Sequence, residues 1–310
     1  MEKKRNGLFE VYRFILCFMP LYYHNFFFLK RNYDIFEVPE LTVDFFFMLS
    51  GFFLMQSMRR LKDEKILQGM WKIMFGRVKP MLFTMCFISA FNLVCILIFI
   101  REDYLGTLFN LFKYWWFVLY LTVGIGLLYL VYRLLKNEKL FIVFLIVLAI
   151  AMGGLHYAVV EQGKFISELV FFTRALGCIP VGILVSYIPA WNKLKSKKFN
   201  HSILFVTVLL PLILYLYYNK KNFAICIALI LMFGALMYFT SHISLGGKVF
   251  DLLGKLSVRM YLYMAFLTMF RILGLTENKI LFVLNVAIAG LDLALTYYRD
   301  KYLAMKKSIS

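Results

Sequence analysis

Charge is the scarcest commodity in this 310-residue sequence: Asp, Glu, Lys and Arg make up 17% of it, where a soluble domain carries about a quarter. A chain this poor in charge and 62% hydrophobic has more apolar surface than a single soluble core can hide. Its apolar residues come in runs of about 18 to 22, the length that crosses a hydrocarbon layer of roughly 30 Å at 1.5 Å per residue. The bilayer is the expected solvent and partner. Cysteine is equally sparse. Cys17, Cys86, Cys95, Cys178 and Cys226 all fall in apolar runs, at spacings that match neither a zinc site nor a CxxC pair, and read as small buried hydrophobes. Acidic residues are few against basic ones, giving a formal charge of +18. Nucleic-acid binding would need those cations on one continuous solvated face, and here they are scattered through short loops. The Gly246-Gly247-Lys248 run lacks the rest of a phosphate-binding loop.

Cutting at charged or turn-rich interruptions yields ten expected membrane helices, near 8–29, 41–58, 80–100, 115–132, 140–156, 169–189, 202–218, 223–240, 257–273 and 280–297. They form one all-α membrane domain over residues 1–310, without repeats or low-complexity tracts, and the longest connection is expected between Arg59 and Lys79. The first run is too long, and too polar at Arg13 and His24, for a cleaved leader, so it is expected to remain as a span. Lys and Arg set the orientation. One set of alternate segments holds 23 of them and the other holds eight, which predicts cytoplasmic termini for a protein expected in the plasma membrane.

Arg13, Arg174, Arg259, Arg271, Glu10, Asp44 and Asp292 fall inside these spans. A charge at mid-bilayer costs about 2.5 kcal/mol or more, which makes such residues candidates for function. Glu10 and Arg271 lie close enough to helix ends to snorkel instead. With the spans alternating in direction, His24, Asp44 and Arg174 fall at one outer level, while Arg13, Arg259 and Asp292 fall at an inner one. Arg13 and His24 are separated by about 16 Å of helix rise and lie on nearly the same face. A His beside a carboxylate is a general-base arrangement, and a His and an Arg that merely hydrogen-bond between helices fit the same pattern. His156, His201 and His242 sit at helix ends or in a loop and are expected to be interfacial or solvated.

The opening span, with Arg13 and His24, resembles the signature of the membrane acyltransferase family 3, the integral-membrane O-acyltransferases of glycans. The order of the other motifs agrees. Val43 to Leu54, VDFFFMLSGFFL, is similar to that family's second helix, and Arg77 three residues before Pro80 to its basic Arg-x-x-Pro. Trp116-Phe117 resembles the opening of a later span, Arg174 an Arg before a Gly-containing helix, and Leu253 to Leu262 the Gly-x-x-Ser-x-x-x-Tyr-Leu element with Ser257 and Tyr261. Met74 and Met264 depart from basic and His positions common in the family.

The resemblance implies acyl transfer, with acetyl-CoA or a similar acyl-CoA as a donor substrate rather than a bound cofactor, no metal, and a carbohydrate hydroxyl as acceptor. His24 is the implied base or acyl carrier, and Asp44 is expected to orient it. Arg13, Arg77 and Arg259 are placed for an anionic donor, since guanidinium binds phosphate through paired hydrogen bonds; Trp116, Arg174, Ser257 and Tyr261 complete the expected binding set. A transporter without chemistry is the rival reading, and Pro180-Val181-Gly182 is the kind of helix interruption it would use.

Overall fold

In hydrocarbon no water satisfies backbone N–H and C=O groups, so a spanning segment must bond to itself as a helix or close into a barrel. The chain takes the first course. A computed structural model describes residues 6–26, 37–99, 115–161, 168–189, 223–242, 246–272 and 278–309, and these are helical apart from short turns. The helices are α1 (Gly7–Phe26), α2 (Glu37–Arg60), α3 (Ile66–Phe99), α4 (Trp116–Leu135), α5 (Glu138–Glu161), α6 (Glu168–Tyr187), α7 (Phe223–Ser241), α8 (Lys248–Ile272) and α9 (Asn278–Ile309). Five of them, α3, α4, α5, α6 and α9, contain a stretch long and apolar enough to cross a membrane. The span expected near 202–218 lies outside the described residues.

The described residues fall into two compact units, with α3 contributing to both: residues 37–82 and 115–244 make one, and residues 1–36, 83–114 and 245–310 the other. In the first, α2 and α6 run side by side in the same direction. Gly51 of α2 faces the backbone carbonyl of Ile179, and Gly182 of α6 faces that of Met48, so that a Cβ at either glycine would collide with main chain. Two small residues placed reciprocally let the backbones approach as closely as helices can, and dispersion supplies the attraction that the hydrophobic effect does not supply within lipid. Phe45, Phe47, Met48, Leu49 and Ile179 are fully buried around this crossing. α7 packs against the same pair, Phe45 meeting Phe233 at 5.3 Å between ring centroids. Leu140, Val143, Val147 and Ile150 of α5, spaced at three and four residues, are more than half exposed, the face a helix turns toward acyl chains.

In the other unit α1 and α8 run parallel. Gly7 seats the ring of Phe250, Gly254 seats the carboxylate of Glu10, and the Cys17 thiol donates to the Ser257 carbonyl at 3.2 Å. α9 returns antiparallel to α8.

Several expectations change. The Arg59–Lys79 connection is not a loop: only residues 61–65 are non-helical, and α3 runs unbroken from Ile66 to Phe99. Lys and Arg interrupt an apolar run without interrupting a helix, because both are good helix formers, and Met70 and Met74 anchor this first part of α3 against Gly126 of α4. For the same reason α8 begins at Lys248 rather than near 257, and α9 ends at Ile309 rather than near 297. Pro180 does not interrupt α6, which continues through it to Tyr187. Glu10, expected to snorkel, is 3% exposed because Gly254 leaves room for its carboxylate.

The reciprocal contact gives a direct expectation. Gly51→Val or Gly182→Val in the full-length protein forces α2 and α6 apart and lowers the recovery of monodisperse protein in detergent. Gly153→Val, at a position where a Cβ meets nothing within 4 Å, leaves recovery near that of the unchanged protein.

Candidate active site

Residues expected to carry chemistry lie in both units. In the unit containing α2 and α6, Arg174 is 4% exposed and Asp44 8%, and they meet across the helix crossing. Arg174 Nε donates to Asp44 Oδ1 at 2.5 Å and Nη2 to Oδ2 at 3.2 Å, the paired geometry that suits guanidinium and carboxylate. The Cys178 thiol, one turn beyond Arg174, donates to the same Oδ1 at 3.4 Å. The convergence expected of Asp44 and Arg174 is present. His24 lies on α1, but its side chain is outside the described residues; the carboxylate expected to orient it is held on both oxygens by Arg174.

Trp116 opens α4 and stacks on Phe171 of α6, with ring centroids 4.2 Å apart and planes 21° from parallel. Phe47 of α2 lies 6.1 Å from the same indole. Trp116 therefore joins three helices of its unit as an aromatic wedge.

Arg77 lines a cleft of about 300 Å³ together with Ser57, Arg60, Leu61, Lys72, Ile73 and Gly76. Three cations and a hydroxyl thus border one concavity. Arg60 is the last residue of α2, while Lys72 and Arg77 lie on the first turns of α3, so the turn at 61–65 is what brings them together. Lys72 also meets the Glu64 carboxylate at 2.5 Å. From sequence, Arg60 and Lys72 counted only toward orientation. Their gathering depends on α3 starting at Ile66.

In the other unit, Arg13 Nη1 donates to Glu10 Oε1 and Oε2 at 3.0 and 3.1 Å, one turn away on α1. Arg259 and Asp292, expected at one level, do pair: Nε reaches Oδ2 at 3.0 Å. Arg259 Nη2 also reaches the Thr296 hydroxyl at 3.1 Å, and Nη1 the Lys255 carbonyl at 3.3 Å. Ser257 is buried and donates back to the Gly254 carbonyl at 2.9 Å. Its hydroxyl therefore serves α8, and its carbonyl receives Cys17. Tyr261 lies one turn beyond Ser257 on α8, and Met264 is buried.

His156 and His242 use Nδ1 on backbone oxygens, of Val170 at 3.2 Å and of Tyr238 at 2.7 Å. Among the described residues no cluster of His, Cys, Asp and Glu has the makings of a metal site. The residues that sequence reasoning passed over are Tyr129 and Arg133, which bond to the turn bordering the basic cleft. Arg133 counted only as a cytoplasmic charge, and its spacing of four from Tyr129 was the available signal.

Comparison with known proteins gives one result. A family model for the acyltransferase domain of acyltransferase family 3 matches residues 8–299. No curated protein and no solved structure matches.

The Asp44–Arg174 pair yields an expectation of its own. Removing one partner leaves a charge stranded in a buried apolar site, which costs about 3–5 kcal/mol, whereas replacing both by apolar groups of similar volume is often neutral. Arg174→Met therefore lowers the thermal midpoint of the detergent-solubilised protein sharply, and Asp44→Leu combined with Arg174→Met recovers most of the loss. A double variant as unstable as the single one would mean that the pair's charges are needed for more than mutual neutralisation.

Proposed function

The chain belongs to the acyltransferase family whose model it matches over nearly its whole length, and from that premise we propose that it moves an acetyl or similar acyl group from a cytoplasmic acyl-CoA donor to a hydroxyl of a surface or exopolysaccharide-type carbohydrate. The observation that supports this donor is the cleft lined by Arg60, Lys72 and Arg77. Phosphate groups are the ligands that clustered cations serve best, and Arg adds paired hydrogen bonds to the charge.

His24 is the proposed base. Its ring nitrogen takes the proton of the acceptor hydroxyl as the oxygen attacks the thioester carbonyl. The tetrahedral intermediate then collapses, the carbon–sulfur bond breaks, and the departing thiolate takes up the proton that the imidazolium holds. In the alternative order the His24 ring nitrogen attacks the thioester, the carbon–sulfur bond breaks and CoA leaves as thiolate; the hydroxyl oxygen then takes the acyl group from the imidazole, and its proton passes to the thiolate. Arg13 is proposed to serve the donor from α1, with Glu10 fixing its guanidinium.

We further propose ten crossings in the plasma membrane, with both termini cytoplasmic. The parallel course of α6 and α7 supports this count: Gly234 lies against Val185, and the Tyr238 hydroxyl donates to the Pro189 carbonyl at 2.9 Å. The crossing expected near 202–218 falls between them. The continuity of α6 through Pro180 removes the helix break that motivated a transporter without chemistry.

Purified full-length protein given labelled acyl-CoA and a carbohydrate acceptor should release CoA and label the acceptor. His24→Ala and His24→Gln should each lose about 10²- to 10⁴-fold in turnover at near-normal abundance, the contribution of a positioned base. Turnover retained in both would take His24 out of the chemistry. Arg77→Ala should raise KM for the donor about tenfold or more, as loss of a charge-assisted bond to phosphate requires, while leaving KM for the acceptor unchanged.

The proposed orientation has its own check. A reporter active only outside the cytoplasm and fused after Ser310 should stay silent, and the same reporter inserted at residues 30–40 should be active.

A further inference from the structure

The basic cleft owes its form to residues 61–65, the only non-helical stretch between α2 and α3. The Leu61 N–H closes the last turn of α2 on the Ser57 and Met58 carbonyls, and the Leu61 and Glu64 carbonyls of the turn that follows extend the negative end of the helix dipole. That end lies beside the cleft, where it opposes an anionic ligand. Arg133 of α4 covers it. Its Nη1 donates to the Leu61 carbonyl at 2.9 Å and to the Glu64 carbonyl at 2.8 Å, and it meets the Tyr129 hydroxyl at 2.8 Å. That hydroxyl itself donates to the Leu61 carbonyl at 3.1 Å. Tyr129 is fully buried, and Gly69 of α3 packs directly on its hydroxyl, where a Cβ would collide. One side-chain pair, a single turn apart on α4, thus holds both ends of the connection that places Arg60 against Lys72 and Arg77.

We propose that Tyr129 and Arg133 are positioning residues for an anion-binding cleft, fixing the 61–65 turn and offsetting the carbonyl field of the α2 terminus so that Arg60, Lys72 and Arg77 face a phosphate-bearing ligand together. The inference rests on the reading that this cleft receives the acyl-CoA donor. Arg133 does not touch the ligand. It acts through the backbone of the turn, and through Glu64, whose side chain sits on Lys72.

Two conservative variants alter the clamp. Arg133→Lys retains the charge but replaces a planar fork by a point cation. Tyr129→Phe keeps the buried ring and removes the hydroxyl. Measured on the full-length protein with acyl-CoA as the varied substrate, Arg133→Lys should raise donor KM about tenfold and Tyr129→Phe about threefold. In both, kcat at saturating donor and KM for the acceptor should stay within about twofold of the unchanged enzyme. Arg77→Ala is run alongside. If it raises donor KM and neither clamp variant does, the positioning role is overturned while the donor site stands. If Arg77→Ala leaves donor KM unchanged, the donor site itself is wrong and the clamp falls with it. A clamp that merely supports folding would lower recovery and kcat at constant donor KM, which also overturns the proposal. Should Arg133→Lys not be recovered folded, Tyr129→Phe decides the question alone, since it removes only one oxygen atom.

Discussion

Where α2 and α6 cross, Gly51 and Gly182 bring two main chains into contact, and on the same seam Asp44 and Arg174 close a two-pronged ion pair. Each depends on the other. Charges taken out of water are tolerated only when geometry and hydrogen bonding are good, and the backbones must be this close for the guanidinium and carboxylate to meet edge to edge. The close approach in turn brings Phe45 against α7 and Phe47 against Trp116 of α4. Most of the helices in that unit therefore rest, directly or through an aromatic ring, on one crossing.

The other ionic contacts inside the helices follow the same rule at lower cost. Arg13 finds Glu10 on its own helix, and Arg259 finds Asp292 on the antiparallel neighbour with Thr296 beside it. In lipid an ionisable group without a partner either drags water in or loses its charge, so pairing is the condition on which these residues remain in apolar helices. The cations of the basic cleft differ in kind. They are gathered at the end of α2 and the start of α3 by a turn whose own Glu64 carboxylate sits on Lys72, and a concavity lies between them. Cations gathered in this way can accept an anion that arrives from outside the protein.

Much of this is legible in the sequence. Run lengths located the described helices, and the depth argument that put Asp44 level with Arg174, and Arg259 level with Asp292, picked out pairs that do form. It worked because rise per residue is fixed in a helix and alternation fixes direction. Glu10 was misread because depth alone sees a helix end and cannot see Gly254 on another helix making room. The Arg59–Lys79 segment was misread because charge ends a hydrophobic run but not a hydrogen-bond ladder. That error concealed the cleft, since Arg60, Lys72 and Arg77 in a loop are only neighbours in sequence, whereas on two helices joined by five residues they border one space. Of the Tyr129–Arg133 clamp the sequence shows only a spacing of four on one helix face; its targets are backbone carbonyls, which have no signature in a sequence.

The reciprocal glycines also shape how this sequence can drift. A larger side chain at Gly51 would be admissible only if α6 moved away, and that movement would pull Arg174 from Asp44. Neither glycine can be exchanged first and compensated later, because the intermediate would carry a separated ion pair in an apolar environment. Gly51, Gly182, Asp44 and Arg174 are therefore expected to be inherited as a block, whereas the lipid-facing residues of α5 can interchange among Leu, Ile and Val almost freely. Sequences with the same seam can diverge widely everywhere else and still bring the same two helices together.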